Sequence, residues 1–421
     1  MLSAILDVQT TLKRRINGNS RFSVANLILI ATTFIWYFLA FSFINDTVND
    51  LKMPYFVMLK IVGLNVIGIA ASAMLMASLL GRIKRRYHFL CGWLIAGGLL
   101  SLLPMILPMR TETGLTLVSA IFGVYFGLGM PTTMGLFAQF TEYENRAKLA
   151  GITFLIVGLG WFLLGNIVGD SVQVFSVLLS IIRWAGFVPF FLFGIHLKRE
   201  IPPEKNPTYR SIIKNRTFLL YFVPWIAFSL VNFITLPFSA KLGQGEQFIN
   251  LSMVMENVLV AASAVATGFL AGVFGRRRLT ISGFIMIGLG YGVLGLSSVS
   301  SGLTSTIGLI FYTISDGVAW GIFYVIFLFT LWGDIAQRAP SEKFYVIGAL
   351  PYVLSSFAQL LLQPLISPIP ETAIFSLASF ILFLGVPCLF FAPETLPEDM
   401  MRNREMNLYI AQAEKIKQKY S

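Results

Sequence analysis

This sequence is short of charge. Only 12% of its 421 residues are Asp, Glu, Lys or Arg, against 56% hydrophobic, whereas soluble domains carry about 25% charge. That shortage excludes a water-soluble globule. Cysteine is nearly absent: Cys91 and Cys388 both fall in apolar runs, so neither a disulfide framework nor a thiolate metal site follows. The two histidines, His88 and His196, stand far apart at the ends of apolar runs. With no Cys/His cluster, no metal and no cofactor are expected. A nucleophile–base pair and a phosphate-cradling loop are also missing, which argues against an enzyme. The opening "MLSAILDVQTTLKRRINGNSRF" places its charges after its apolar residues, the reverse of a cleavable signal.

Long apolar runs, by contrast, fill the chain. About 20 apolar residues cross a hydrocarbon core of roughly 30 Å. Twelve runs qualify, at about 23–44, 54–80, 87–108, 114–140, 149–169, 173–197, 217–239, 247–272, 279–297, 303–333, 345–366 and 372–392. Their period is helical or continuous, unlike the ~10-residue alternation of an outer-membrane barrel. Since lipid admits only helices or closed barrels, the fold expected is an all-α membrane protein with twelve transmembrane helices. The net charge of +11 is placed for a membrane rather than for nucleic acid. Only Lys52, Arg110 and Lys241 lie on the side away from the termini, and Lys60 and Arg183 lie inside spans. The rest of the 31 Lys and Arg flank the termini side, so the positive-inside rule puts both termini in the cytoplasm. The lipid bilayer, expected to be the plasma membrane, is therefore one partner.

The chain also repeats itself. "GFLAGVFGRRR" (268–278) echoes "ASLLGRIKRR" (77–86), and laying Arg277 on Arg86 gives an offset of 191 residues. "EYENR" (142–146) and "DIAQR" (334–338) each set an acid four residues before an arginine, at an offset of 192. Two landmarks at nearly one offset predict two six-helix pseudo-repeats in the same orientation, an arrangement found among transporters. The expected organisation is a tail at 1–22, a six-helix half at 23–197, a linker at 198–216, a second half at 217–393 and a tail at 394–421. The last tail spaces Met406, Tyr409, Ile410 and Ala413 on one helical face. It reads as an amphipathic helix on the inner leaflet or as a solvated helix.

On these residues the chain resembles the major facilitator superfamily. The loop between helices 2 and 3 of that family, echoed between 8 and 9, follows G-x-L-A-D-R-x-G-R-R. It is matched here at Gly268, Leu270, Ala271, Gly275, Arg276 and Arg277, and at Leu79, Arg82, Arg85 and Arg86. "RAKLAG" (146–151) is similar to the family's R-G-x-x-x-G opening of helix 5, and "PET" (393–395) follows the last span as in its sugar porters. Gly81 and Gly272 stand where the family has an aspartate that helps close the cytoplasmic side. The resemblance implies a substitute gate. Arg82, Arg85 and Arg86 would face Glu142 or Glu144, while Arg276, Arg277 and Arg278 would face Asp334, with Arg146 and Arg338 beside the acids.

Ionisable groups within a bilayer cost at least about 2.5–3.5 kcal/mol at mid-helix and mark function by default. Four occur in the spans: Lys60, Arg183, Glu256 and Asp316. Lys60 is near enough to a span end to snorkel. Arg183 either serves helix packing or binds an anionic substrate group. The offset of 191 matches Glu256 with Asn65 and Asp316 with Tyr125. The resemblance implies that helices 1, 4, 7 and 10 line a central cavity, so Asp316 would face water or substrate there, suited to carry protons. Trp225, Tyr312 and Trp320, with Asn232, would then supply aromatic walls and polar tips for a small organic ligand.

The function expected is secondary transport of a small-molecule substrate by alternating access, coupled to protons, by a monomer. The other reading is a non-transporting membrane sensor or scaffold of the same fold, kept open by the two glycines at the motif aspartates.

Overall fold

The computed structural model describes residues 20–80, 86–169, 171–194, 206–239, 246–300, 302–337, 339–397 and 406. In hydrocarbon every backbone N–H and C=O must be satisfied within its own segment, which a helix achieves. The described residues accordingly form helices and no strand. Twelve are long and apolar enough to cross a membrane. They are α1 (Ser20–Asp50), α2 (Tyr55–Leu79), α3 (Arg86–Leu100), α4 (Glu112–Phe140), α5 (Tyr143–Val168) and α6 (Val172–Phe193). After a short helix at Tyr209–Ile213, inside the stretch read as a linker, come α7 (Arg216–Ser239), α8 (Glu246–Val273) and α9 (Arg276–Ser297). The last three are α10 (Leu303–Phe323), α11 (Glu342–Ile366) and α12 (Glu371–Phe390). The amphipathic tail expected near the C-terminus lies outside the described residues, apart from Met406.

Two helices are not simple. Past Leu100 the chain of α3 turns and resumes as Leu103–Ile106, with Pro104 in the first turn, where its missing N–H costs nothing. α10 runs on through a π-helical stretch, Tyr324–Thr330, into Leu331–Ala336, so that this span covers Leu303–Ala336.

The chain forms two compact units. The first comprises Met1–Thr141, Ile156–Pro207 and Arg338–Leu361; the second comprises Glu142–Leu155, Thr208–Gln337 and Leu362–Ser421. Thus α5 and α11 each contribute to both. Close helix approach in each unit depends on small residues, as in membranes generally. In the first unit, a Cβ on Gly123 or Gly127 of α4 would strike the carbonyl oxygens of Asn65 and Ile69 on α2. In the second, a Cβ on Gly317 or Gly321 of α10 would likewise come within 2.7 Å of Leu259 Cβ or 2.6 Å of the Val260 oxygen on α8. Both pairs are four residues apart, one face of one helical turn. Asn65 and Glu256 therefore occupy equivalent places, each opposite the first glycine of its pair. Matched on these glycines, Asp316 corresponds to Phe122, three residues from the Tyr125 that the offset of 191 selects.

The first part of α11 lies along α2. Val346 packs with Ala73 and Ala77, and the Tyr55 hydroxyl at the other end donates to the Leu360 carbonyl at 2.9 Å. The first part of α5 packs on α8 in the second unit, where a Cβ on Gly151 would sit 2.6 Å from the Ala264 oxygen.

Candidate functional site

Three groups of polar side chains are buried among these helices. The first lies in the second unit, where the starts of α5 and α9 meet the end of the α10 span on the termini side. The Asp334 carboxylate accepts from Arg146 Nη1 at 2.6 Å and from Arg276 Nε at 3.1 Å. The side chains of Asp334 and Arg276 are wholly buried and that of Arg146 nearly so. Arg276 spends its other donors on the carbonyls of Ala271 and Tyr143. Such a pair is stabilising only when its remaining donors are satisfied, and here the backbone satisfies them.

A second acid completes this network. Glu394, of the "PET" sequence, accepts backbone N–H bonds from Arg276 (2.9 Å), Arg277 (3.1 Å), Thr395 (2.9 Å) and Leu396 (3.2 Å). It thereby caps the N-terminus of α9, where a negative charge meets the positive end of the helix dipole. The close fit requires Gly275, which has φ +89° and whose Cβ would collide with the Glu394 carboxylate. The segment after α12 thus sets a carboxylate against the start of α9.

The expected gate needs correction in detail. Arg276 does meet Asp334, but Arg277 donates to the Ala392 carbonyl at 3.1 Å and Arg278 is exposed. Arg86 pairs at 2.7 Å with Glu342 at the start of α11, where an acid is also an ordinary helix-start residue. Glu142 and Glu144 form no ion pair among the described residues. Arg82, Arg85 and Arg338 lie outside the described residues. Lys60 bonds Glu112 at 2.9 Å, with both side chains about half exposed, as a helix-end charge does.

The second group is at mid-span in the second unit. Gly317 brings α10 against α8, and the carboxyls of Glu256 and Asp316 face each other within hydrogen-bonding reach. Asp316 is 4% exposed, and its Oδ1 has no further partner among the described residues. Beside it, the Tyr312 hydroxyl donates to that of Tyr291 at 3.4 Å, and Tyr291 is linked to Thr235 at 2.7 Å. Trp320 Nε1 donates to Asn232 Oδ1 at 3.2 Å. Two carboxyls sharing one buried site cannot both carry charge cheaply, so the arrangement suits a shared proton. Tyr291 and Thr235 were not foreseen, because a hydroxyl within an apolar run looks like packing. Trp225 departs from expectation: it is wholly buried and stacks on Phe327 and Phe228. It belongs to an aromatic core rather than to an open wall.

The third group is in the first unit. Arg183 of α6 is 0% exposed. Its guanidinium carbon lies 4.5 Å from the ring centre of Trp36, 4.7 Å from Trp93 and 5.1 Å from Tyr125. Nη1 reaches the Thr33 hydroxyl at 3.3 Å. A desolvated cation–π contact stabilises by about 2 kcal/mol, while burying an ion costs several kcal/mol even after relaxation. The three rings therefore offset much of the burial cost. Tyr125, which the offset of 191 matched with Asp316, lies in this cage. Asn65 is also buried, with Nδ2 donating to the Ser119 carbonyl at 2.7 Å. No group of three or more His, Cys, Asp and Glu side chains that could hold a metal occurs among the described residues.

No family model and no curated protein matches the sequence. Solved structures do match the fold. The major facilitator superfamily proton:xylose symporter XylE, bound to 6-bromo-6-deoxy-D-glucose, superposes with a TM-score of 0.64 at 15% identity. That match covers 90% of this chain and 97% of the symporter. The human organic anion transporter MFSD10 (TETRAN) matches with a TM-score of 0.61 at 13% identity, covering 88% of this chain and 99% of its own. A double-tryptophan variant of XylE gives 0.60 at 15% identity, with 92% and 98% coverage. The chain has the fold of the major facilitator transporters.

Proposed function

We propose that this protein is a secondary transporter of a small organic solute, working by alternating access and driven by protons. The observation that carries the reading is the meeting of Glu256 and Asp316 within two apolar helices, where charge is costly and a proton is readily shared. The fold supports it, since its neighbours are described as a proton:xylose symporter and an organic anion transporter. In this reading the six-helix halves 23–197 and 217–393 move about a midplane site. Both termini are cytoplasmic in a multi-pass protein of the plasma membrane. The Arg146–Asp334–Arg276 network then closes the cytoplasmic side, and the transporter acts as a monomer. The reading as a sensor or scaffold rested on the two glycines at the motif aspartates. It loses ground because Asp334 and Glu394 together hold Arg276 without that aspartate.

Reconstituted vesicles test the coupling. Asp316→Asn keeps the side-chain shape and mimics the protonated acid. It should abolish uphill, pH-driven accumulation and leave solute counterflow, which needs no net proton movement. A thermal-shift screen over sugars and organic acids supplies the solute to use. Uphill transport that survives in both Asp316→Asn and Glu256→Gln would refute carboxyl coupling.

A further inference from the structure

Neither the ion network nor the carboxyl pair uses Arg183. With Nη1 directed at Thr33, its remaining donors, Nε and Nη2, have no partner among the described residues. These two are not scattered. They form one edge of the planar guanidinium, so their N–H bonds point the same way, and that edge grips an anion with two parallel hydrogen bonds. The Tyr125 hydroxyl, on a ring of the same cage, is also buried without a partner. The ionisable group acting on Arg183 is this tyrosine and not a carboxylate. A guanidinium does not shed its proton in a protein, so the charge stays, and no carboxylate pairs with it among the described residues.

We propose that the open edge of Arg183 and the Tyr125 hydroxyl bind a small monovalent anion, of halide or formate size, as a resident counter-ion in the first unit. The donors set the class of ligand: two N–H groups on one guanidinium edge and one O–H of the same cage are unpartnered among the described residues. Enclosure sets the size. Arg183 is wholly buried, and the cage is so tight that a Cβ on Gly97 would strike Tyr125 and one on Gly129 would strike Trp93. A single positive charge matches a single negative one, which disfavours sulfate or a phosphate dianion. The site is separate from the proposed transport chemistry and is independent of which solute is carried.

Full-length protein in detergent micelles tests this, titrated with sodium chloride against sodium gluconate at constant ionic strength. Thermal midpoint and tryptophan fluorescence are the readouts. Chloride and formate should raise the midpoint saturably, gluconate should not, and bromide should add a saturating component to tryptophan quenching by Trp36 and Trp93. Arg183→Gln should abolish the chloride-dependent part. Tyr125→Phe, which deletes one hydrogen bond to an ion, should raise the half-saturating concentration by about tenfold or more. Trp184→Phe, on the exposed side of the same helix, should leave it unchanged. Equal midpoints in chloride and gluconate would overturn the proposal, as would a chloride response that survives in Arg183→Gln. If Arg183→Gln fails to fold, Tyr125→Phe decides: an unchanged half-saturating concentration puts the anion elsewhere.

Discussion

Replacing Asp334 by Asn removes one negative charge and almost nothing else. In the folded protein that carboxylate is shared by Arg146 and Arg276, both of them buried. Removing one partner of a buried ion pair costs about 3–5 kcal/mol, because a charge is left without compensation. The lower end applies here, since Arg276 keeps the carbonyls of Ala271 and Tyr143 and has Glu394 at its backbone N–H. A loss of about 3 kcal/mol is roughly a hundredfold in an equilibrium constant. If the network holds the cytoplasmic side shut, Asp334→Asn should favour the open form by about that factor. Ala150, one turn beyond Arg146 on α5 and 0% exposed, is a reporter site. In a background lacking Cys91 and Cys388, Ala150→Cys should react slowly with an impermeant maleimide applied to inside-out vesicles. Adding Asp334→Asn should speed that reaction by up to about a hundredfold. Adding Arg146→Gln to Asp334→Asn should then recover part of that effect, because it removes the charge left unpaired. An unaltered rate in a correctly inserted Asp334→Asn protein would refute the role of the network as a lock, leaving its arginines as topology signals alone.

Other expectations are simpler to read. Cysteines at residues 243 and 301 should label from outside intact cells, and cysteines at 206 and 340 only after permeabilisation; the opposite pattern would invert the orientation. Glu394→Gln should lower the thermal midpoint by the equivalent of about 0.5–2 kcal/mol, since it removes the charge at the α9 N-terminus and keeps an acceptor oxygen. Gly321→Ala should destabilise by about 1–3 kcal/mol by forcing α8 and α10 apart. Gly92→Ala, with nothing within 4 Å of the new methyl, should instead stabilise by about 0.5–1 kcal/mol through helix propensity. Thermal denaturation in detergent separates the last two by sign.

The architecture was legible because lipid imposes it. A run of apolar residues long enough to cross a bilayer has few alternatives to a helix, and all twelve runs became one. The borders were less legible where protein replaces lipid as the solvent. α5 starts at Tyr143, six residues before the apolar run, because Asp334 makes Arg146 tolerable in a buried first turn. The carboxyls at 256 and 316 stood out since charge in a span is rare. Their encounter depends on Gly317, which local periodicity does not single out. The cage around Arg183 was half visible: the arginine and Tyr125 were read separately, and Trp93 went unnoticed as one aromatic residue among many. Contacts among α1, α3, α4 and α6 are tertiary, and no spacing along the chain encodes them. Glu342 and Glu394 were hidden for a different reason. Acids near helix ends ordinarily face water, and only their partners show that these do not.

The distance along the chain between ion partners bears on how the protein is made. Arg146 and Asp334 are 188 residues apart, and Arg86 and Glu342 are 256 apart. At a synthesis rate of about 5–20 residues per second, Arg146 waits roughly 10–40 seconds for its acid and Arg86 somewhat longer. During that interval the newborn first half holds Arg146, which its final packing buries, and Arg86, which it half-buries, with neither partner acid yet made. Those turns cannot settle early, and a chain truncated after its sixth helix never settles them at all. The two pairs thus act as a completeness check on the nascent protein: the polar bonds of Arg146 and Arg86 close only once α10 and the start of α11 have emerged.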